Sequence, residues 1–220
     1  MTDRWVFNHD SPEVRHICER DPVFGRLVEL VGDVEVQFRS QDIFEALVRS
    51  IVGQQLSNKA ADAIWARLRE VCQGVGNARG KATDVVVTPD RLSSLDDEAL
   101  RAAGLSRPKI SYIRDLCLKV QNGEIDPDGV RHLSDRDLIS SLTKVKGIGE
   151  WSCQMLMIFS LGRLDVFAPA DLALRRAITW LYELKEPLRD SDLLRMSERW
   201  RPYRTVASLY LWESANLKSR

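Results

Sequence analysis

The stretch Leu142-Thr143-Lys144-Val145-Lys146-Gly147-Ile148-Gly149-Glu150-Trp151-Ser152-Cys153 decides how the rest of the chain is read. It has the pattern of one helix ending, a tight Gly-Ile-Gly hairpin, and a second helix beginning. Gly147 and Gly149 lack a Cβ, so each can take φ > 0 and let another backbone come close. The N–H groups at the start of the second helix have no intrahelical partner and favour an anion. Lys144 and Lys146 flank the turn with positive charge. Such a turn can grip a nucleic-acid phosphate without reading a base. An ordinary helical corner that needs two glycines has the same local signature.

Outward from the hairpin, helical spacing dominates. Upstream, Ser134 to Leu142 is expected to be helical. Ile43, Phe44, Leu47, Val48, Ile51 and Val52 mark an earlier amphipathic helix, with Ser40 as its expected N-cap and Gly53 as its end. Ser57 caps the next helix, which carries Ala61, Ile64, Trp65 and Leu68 inward. The glycine-rich stretch from Gln73 to Thr88 is expected to be mostly loop. Thr88-Pro89-Asp90 opens a short helix; Ser94 with Asp97 has the form of a capping box, and Gly104 stops the helix that follows it. Ser106 opens another helix, with Ile110, Ile113, Cys117 and Val120 on one face. Downstream of the hairpin, Trp151, Met155, Ile158 and Phe159 share a helix that ends at Gly162. Asp171 opens a helix with Leu174, Ala177, Ile178 and Leu181 inward. Ser191 to Trp200 forms another, and a last one carries Val206, Leu209, Tyr210 and Trp212. Residues 1–40 give only a helix start at Asp10-Ser11-Pro12-Glu13 and an alternating Val34-Glu35-Val36-Gln37-Phe38. The expectation is an all-α protein of roughly ten short helices.

Composition bounds the function classes. A hydrophobic content of 44% and a charged content of 29% fit a globular protein. No apolar run approaches the roughly 20 residues that cross a bilayer, and the N-terminus lacks the plan of a signal peptide. A cytoplasmic protein, in the nucleoid and without a membrane partner, is expected. Cys18, Cys72, Cys117 and Cys153 form no C-x-x-C pair, so neither zinc nor an iron–sulfur cluster is signalled. The 32 basic and 32 acidic residues balance. Six basic residues (Arg195, Arg199, Arg201, Arg204, Lys218, Arg220) nevertheless gather after position 194 against Glu198 and Glu213. A neutral protein with one basic face is compatible with that distribution.

Asp171 is the candidate for chemistry. It follows Phe167-Ala168-Pro169-Ala170 at a helix start, where the dipole favours a carboxylate. Aspartate is also among the commonest capping residues, so position alone does not assign it a role. The hairpin lies about one helix upstream, which allows both to reach one cleft. Trp151, Trp180, Trp200, Tyr203 and Trp212 supply aromatic rings to the C-terminal third. A ring beside a phosphate-binding turn and a carboxylate suits an extruded base, more so a cationic one.

Val145-Lys146-Gly147-Ile148-Gly149-Glu150-Trp151-Ser152, followed by Val166-Phe167-Ala168-Pro169-Ala170-Asp171, resembles the helix-hairpin-helix, Gly/Pro-rich loop and aspartate of the base-excision DNA glycosylase superfamily. The branch it is most similar to is the AlkA-type 3-methyladenine DNA glycosylases. Ile51-Val52-Gly53-Gln54-Gln55-Leu56-Ser57 matches that branch's helix-to-loop motif, and Trp200-Arg201-Pro202-Tyr203-Arg204 through Trp212 its C-terminal signature. The resemblance implies two helical lobes with the active-site cleft between them: residues 41–163, with the helix-hairpin-helix at about 134–161, and residues 1–40 plus 164–220. It implies damaged double-stranded DNA as partner, a monomer, and removal of flipped alkylated bases of the 3-methyladenine and 7-methylguanine type. It assigns Asp171 as the catalytic carboxylate and Gly147, Gly149, Lys144 and Lys146 to the DNA backbone. The Gln54-Gln55-Leu56 loop is assigned to DNA too, with either Gln55 or Leu56 as the wedge. The carbonyls of Thr143, Val145 and Ile148 would hold a monovalent cation, Na+ or K+. Trp151, Trp212, Met155 and Leu172 would line the base pocket.

Departures from the family pattern refine the expectation. Lyase-competent relatives carry a lysine where this chain has Trp151, so no Schiff base and no lyase activity is expected. The C-terminal cysteine cluster of many relatives is missing, and no cofactor is required. Met155 and Leu172 stand where some AlkA-type enzymes have tyrosine, and Ala170 where they have aspartate, which points to a wider or less aromatic pocket. About forty N-terminal residues cannot hold the β-domain of the longest relatives, so the chain looks like a shortened form. The rival readings are a glycosylase for another lesion class and a noncatalytic helix-hairpin-helix module.

Overall fold

The computed structural model describes residues 4–37, 42–74 and 87–217. Ser40, Phe38, residues 75–86, Lys218 and Arg220 lie outside them. The described residues fall into two compact units, one within Met1–Arg39 and Met157–Arg220, the other within Ser40–Leu156.

Among its described residues the second unit holds helices and turns and no strand. Its centre is α3 (Ile43–Gly53), where Ile43, Phe44, Ala46, Leu47, Val48, Ile51 and Val52 are all buried. Asp42 caps it, accepting the Glu45 N–H at 2.8 Å, and so takes the role expected of Ser40. Against α3 pack α4 (Asn58–Gly74), through Trp65, Leu68 and Cys72, and α7 (Arg107–Gln121), through Ile110, Ile113, Leu116 and Cys117. Arg49 reaches from α3 to Asp62 of α4 at 2.7 Å and lies 5.6 Å from the Trp65 ring centroid. Each buried Leu, Ile or Phe contributes about 1.5–3 kcal/mol over its exposed state. Short α5 (Pro89–Ser94) opens at Thr88 as expected. α6 (Asp97–Ala102) is capped by Asp96, which accepts the Ala99 N–H at 2.8 Å. The expected Ser94–Asp97 capping box is therefore not formed: Ser94 closes α5, its hydroxyl donating to the Arg91 carbonyl. A 3-10 turn (Gly129–His132) and α8 (Asp135–Leu142) lead to the hairpin. α9 (Glu150–Phe159) follows it, its residues from Met157 onward belonging to the first unit.

In the N-terminal part of the first unit, the strand at Arg4–Phe7 and the helix at Pro22–Val31 are not among the elements expected from sequence, whereas the strand at Val34–Gln37 lies in the alternating stretch and the helix from Pro12 follows the expected start at Asp10-Ser11-Pro12-Glu13. Strand β1 (Arg4–Phe7) pairs antiparallel with β2 (Val34–Gln37), Phe7 opposite Val34. Between them run α1 (Pro12–Arg20) and α2 (Pro22–Val31), the latter burying Phe24, Leu27 and Val28. The C-terminal part is α10 (Leu172–Leu181), α11 (Asp190–Ser197), a 3-10 turn (Glu198–Trp200) and α12 (Arg204–Leu217). The expected helix from Ser191 to Trp200 is thus α11 plus a tighter turn. Phe24, Trp200, Tyr210 and Phe167 form an aromatic nucleus with centroid spacings of 5.6–6.1 Å. Asp21, 2% exposed, accepts from the Tyr182 hydroxyl, from Trp200 Nε1 at 3.0 Å and from the Phe24 N–H at 3.3 Å. A buried carboxylate needs such donors. With twelve α-helices and one two-stranded ribbon among the described residues, the fold is all-α.

Candidate functional site

The hairpin closes with two backbone bonds, Val145 N–H to the Leu142 carbonyl and Ile148 N–H to the Val145 carbonyl, both 3.1 Å. Val145 and Ile148 are buried and anchor it; Lys144, Lys146, Gly147 and Gly149 lie outside. Only Gly147 uses the left-handed region, at φ +78. A Cβ there would meet the Tyr112 ring at 2.2 Å, so it is a ring of α7 rather than another backbone that comes close. Gly149 has no positive φ, and nothing lies within 4 Å of its Cβ position. Among the described residues, neither glycine N–H is donated to a protein acceptor. α7 also supplies Asp115, which accepts the Lys146 N–H at 2.8 Å and pairs with Lys119 at 3.1 Å. Burial pushes the Asp115 carboxyl up, but the Lys146 N–H and Lys119 outweigh it, and the net shift is downward.

The loop after α3 is tied to the same hairpin. Gln54 Nε2 donates to the Gly147 carbonyl at 2.7 Å. Lys109 Nζ, its pKa lowered by desolvation, donates to the Val52 carbonyl at 2.7 Å. Gln55 is held at φ +58, unusual for a residue with a Cβ, and both it and Leu56 are exposed. A strained, exposed turn fastened on its entry side has the character of a contact loop.

Asp171 is the N-cap of α10 and 9% exposed. Its Oδ1 accepts the N–H groups of Ala173 and Leu174, both at 2.9 Å, and Trp212 Nε1 at 3.2 Å. Three donors on one oxygen fix the plane of the carboxylate, and so the direction of Oδ2. The Trp212 indole stacks on Phe159, with centroids 5.7 Å apart and planes 30° apart. A cleft of about 330 Å³ opens beside them, lined also by Val36, Leu209 and Glu213. Leu172, 67% exposed, borders a separate groove of about 960 Å³ with Ala170, Arg176 and Trp180. Of the other two pocket candidates, both in the second unit, Trp151 is 44% exposed and Met155 is buried.

The arginines expected to form a basic face are largely engaged. Arg195 pairs with Asp192 at 2.8 Å, Arg199 approaches Asp21 at 3.6 Å, and Arg201 and Arg204 both pair with Asp165, at 3.1 and 2.8 Å. Among the described residues no group of three His, Cys, Asp or Glu side chains could hold a metal ion, and no helix is long and apolar enough to cross a membrane. Burial pushes the thiols of Cys72 and Cys117 up to about 11 and that of Cys153 to about 12.

Tyr112, Asp115, Lys109 and Phe159 were not singled out for these roles from sequence. No local pattern marks a ring that fits under a glycine 35 positions away.

Comparison with known proteins bears on this geometry. The chain is 33% identical to DNA-3-methyladenine glycosylase 1 of Schizosaccharomyces pombe, over 92% of this chain and 86% of that one. It is 27% identical to DNA-3-methyladenine glycosylase 2 of Escherichia coli, over 78% of this chain and 57% of that one. The solved DNA-3-methyladenine glycosidase of Bacillus halodurans superposes with a TM-score of 0.83 at 39% identity, covering 98% of this chain and 94% of that one. The S. pombe 3-methyladenine DNA glycosylase, solved in complex with abasic DNA, superposes with a TM-score of 0.77 at 32% identity, covering 96% and 99%. Residues 48–202, most of the chain, match the HhH-GPD family, and the chain belongs to the HhH-GPD superfamily of base excision DNA repair proteins.

Proposed function

We propose that this chain is a monofunctional DNA glycosylase that removes alkylated bases of the 3-methyladenine and 7-methylguanine type from double-stranded DNA, the first step of base excision repair, with Asp171 as its catalytic carboxylate. What supports the reading is a carboxylate anchored through one oxygen by three N–H donors, in a chain similar over nearly its whole length to proteins named for this activity. An alkylated purine carries positive charge and leaves readily once extruded from the stack. As the glycosidic bond breaks, its electron pair goes to the base and the sugar C1′ gains oxocarbenium character. Asp171 stabilises that charge, orients the attacking water and takes its proton. A preorganised carboxylate needs no rearrangement in the transition state, which is why the Trp212 N–H matters to the rate.

The Gly147 and Gly149 N–H groups receive a phosphate, with Lys144 and Lys146 beside it. The loop 54–56 enters the stack at the vacated position. Carbonyl oxygens suit Na+ or K+. Val145 O gives one lone pair to the Ile148 N–H and keeps the other, so the turn of Thr143, Val145 and Ile148 is compatible with such an ion, which would supply charge against a phosphate. Trp151 offers no amine, so the reaction ends at the abasic site, and no iron–sulfur cluster or other cofactor enters it. The protein works as a monomer.

Base release from methylated duplex DNA tests the assignment. Asp171→Asn keeps the cap and removes the charge. It is expected to lower the release rate by at least about 10²–10³-fold while binding to an abasic-site duplex persists. Near-normal release by that variant would remove Asp171 from the mechanism.

A further inference from the structure

We propose that α12 is a ruler for the reacting carboxylate, with Thr205 and Arg204 as positioning residues for Asp171; this rests on the catalytic role given to Asp171 above. The segment from Asp165 to Ala170 has neither helix nor strand geometry, so no repeating backbone ladder fixes its course. Its entry is fixed instead by the first turn of α12. Thr205 is fully buried: its hydroxyl donates to the Arg163 carbonyl at 2.7 Å and accepts the Val166 N–H at 3.0 Å, and its own N–H reaches the Leu164 carbonyl at 2.9 Å. Arg204 grips Asp165 through Nε at 2.8 Å and a terminal nitrogen at 3.1 Å, and that nitrogen also reaches the Asp165 carbonyl at 2.9 Å. Val166, Phe167 and Ala168 then run buried to the turn where the Asp171 N–H meets the Ala168 carbonyl at 3.0 Å.

The exit is held by the same helix. Trp212 lies about two turns beyond Thr205, roughly 10 Å along the axis, and its Nε1 meets Asp171 Oδ1 at 3.2 Å. One rigid element thus sets the entry of the connector and the carboxylate at its exit. This gives the Arg-Pro-Tyr-Arg-Thr run a task besides packing. A carboxylate displaced by about 1 Å is enough to cost on the order of 10²-fold in rate, although the displaced group touches no new atom.

Thr205→Val preserves shape and removes the hydroxyl; Thr205→Ser preserves the hydroxyl. Single-turnover release from methylated duplex DNA, at saturating full-length protein, is measured beside affinity for an abasic-site duplex and a thermal melt. Thr205→Val is expected to slow release about 10–100-fold per folded molecule, with affinity within about threefold of the parent and Thr205→Ser within about threefold in rate. In the Asp171→Asn background Thr205→Val is expected to have less than about a twofold effect, because its route of action is gone. The proposal is overturned if Thr205→Val releases base within about threefold of the parent, or slows the Asp171→Asn protein by the same factor as the parent. Should Thr205→Val not fold, Arg204→Lys, which keeps the charge and loses the fork, is held to the same criteria. Parent-like release by Asp171→Asn would instead defeat the catalytic assignment, and this proposal with it.

Discussion

Gly147→Ala probes the hairpin most directly. The backbone at φ +78 costs a residue with a Cβ about 1–2 kcal/mol. The new methyl would lie 2.2 Å from Tyr112 Cδ2 and 2.5 Å from Cγ. Those atoms sit near the root of the ring, so the side chain cannot yield by swinging its tip, and overpacking of this kind adds about 1–3 kcal/mol. Together they are expected to cost about 2–5 kcal/mol, which for a chain of this size is a Tm drop of roughly 4–20 °C. In a Tyr112→Ala background only the backbone term should remain, about 1–2 kcal/mol. Gly149→Ala is the control: with ordinary φ and open space around its Cβ position, it should change stability by less than about 0.5 kcal/mol. It should still weaken binding to an abasic-site duplex, because its methyl would enter the space proposed for the phosphate. The assays are urea or thermal melts and duplex titrations. A Gly147→Ala cost below about 1 kcal/mol, or one unchanged by removing the Tyr112 ring, would refute the reasoning.

Three further outcomes follow from the geometry. Gln54→Leu removes the 2.7 Å bond to the Gly147 carbonyl; it should slow single-turnover base release while leaving the salt slope of DNA affinity unchanged, whereas loss of a phosphate contact would lower that slope by about 1. Asp115, its carboxyl held below the ordinary value of 3.8, contributes stability that is present above that value and lost as pH falls through the lower folded one. The Tm of the parent should therefore fall more steeply below about pH 4 than that of Asp115→Asn, and parallel curves would contradict it. Asp21→Ala strands the Tyr182 hydroxyl and the Trp200 N–H; chemical denaturation should show a loss of about 3–5 kcal/mol.

Much of the helical skeleton was legible in sequence because its signals are local. The spacing of Ile43 to Val52, Thr88-Pro89 and Asp171 before an apolar helix each act within one or two turns. Sequence and structure part where neighbouring residues compete or where the partner is distant. Ser94 and Asp96 both offer a capping oxygen, and only the backbone shows that Asp96 takes the role. β1 is four residues long, without the buried–exposed alternation that β2 shows, and its partner lies some thirty positions away, so nothing local announces it. Arg199, Arg201 and Arg204 look like a basic cluster until Asp21 and Asp165 are brought to them. The hydrogen bonds that join the Gln54 side chain to the Gly147 carbonyl and Trp212 to Asp171 link residues whose identities are visible but whose meeting is a product of tertiary packing.

Asp171 serves two masters, since the oxygen that caps α10 belongs to the group assigned to the reaction. Drift at this codon is therefore not symmetric. Loss to alanine forfeits about 1 kcal/mol of helix stability along with any activity, while asparagine or serine forfeits the activity and keeps the helix start intact. A descendant that abandoned repair chemistry would find those two substitutions the gentlest way out, and would remain a well-folded protein with a silent centre.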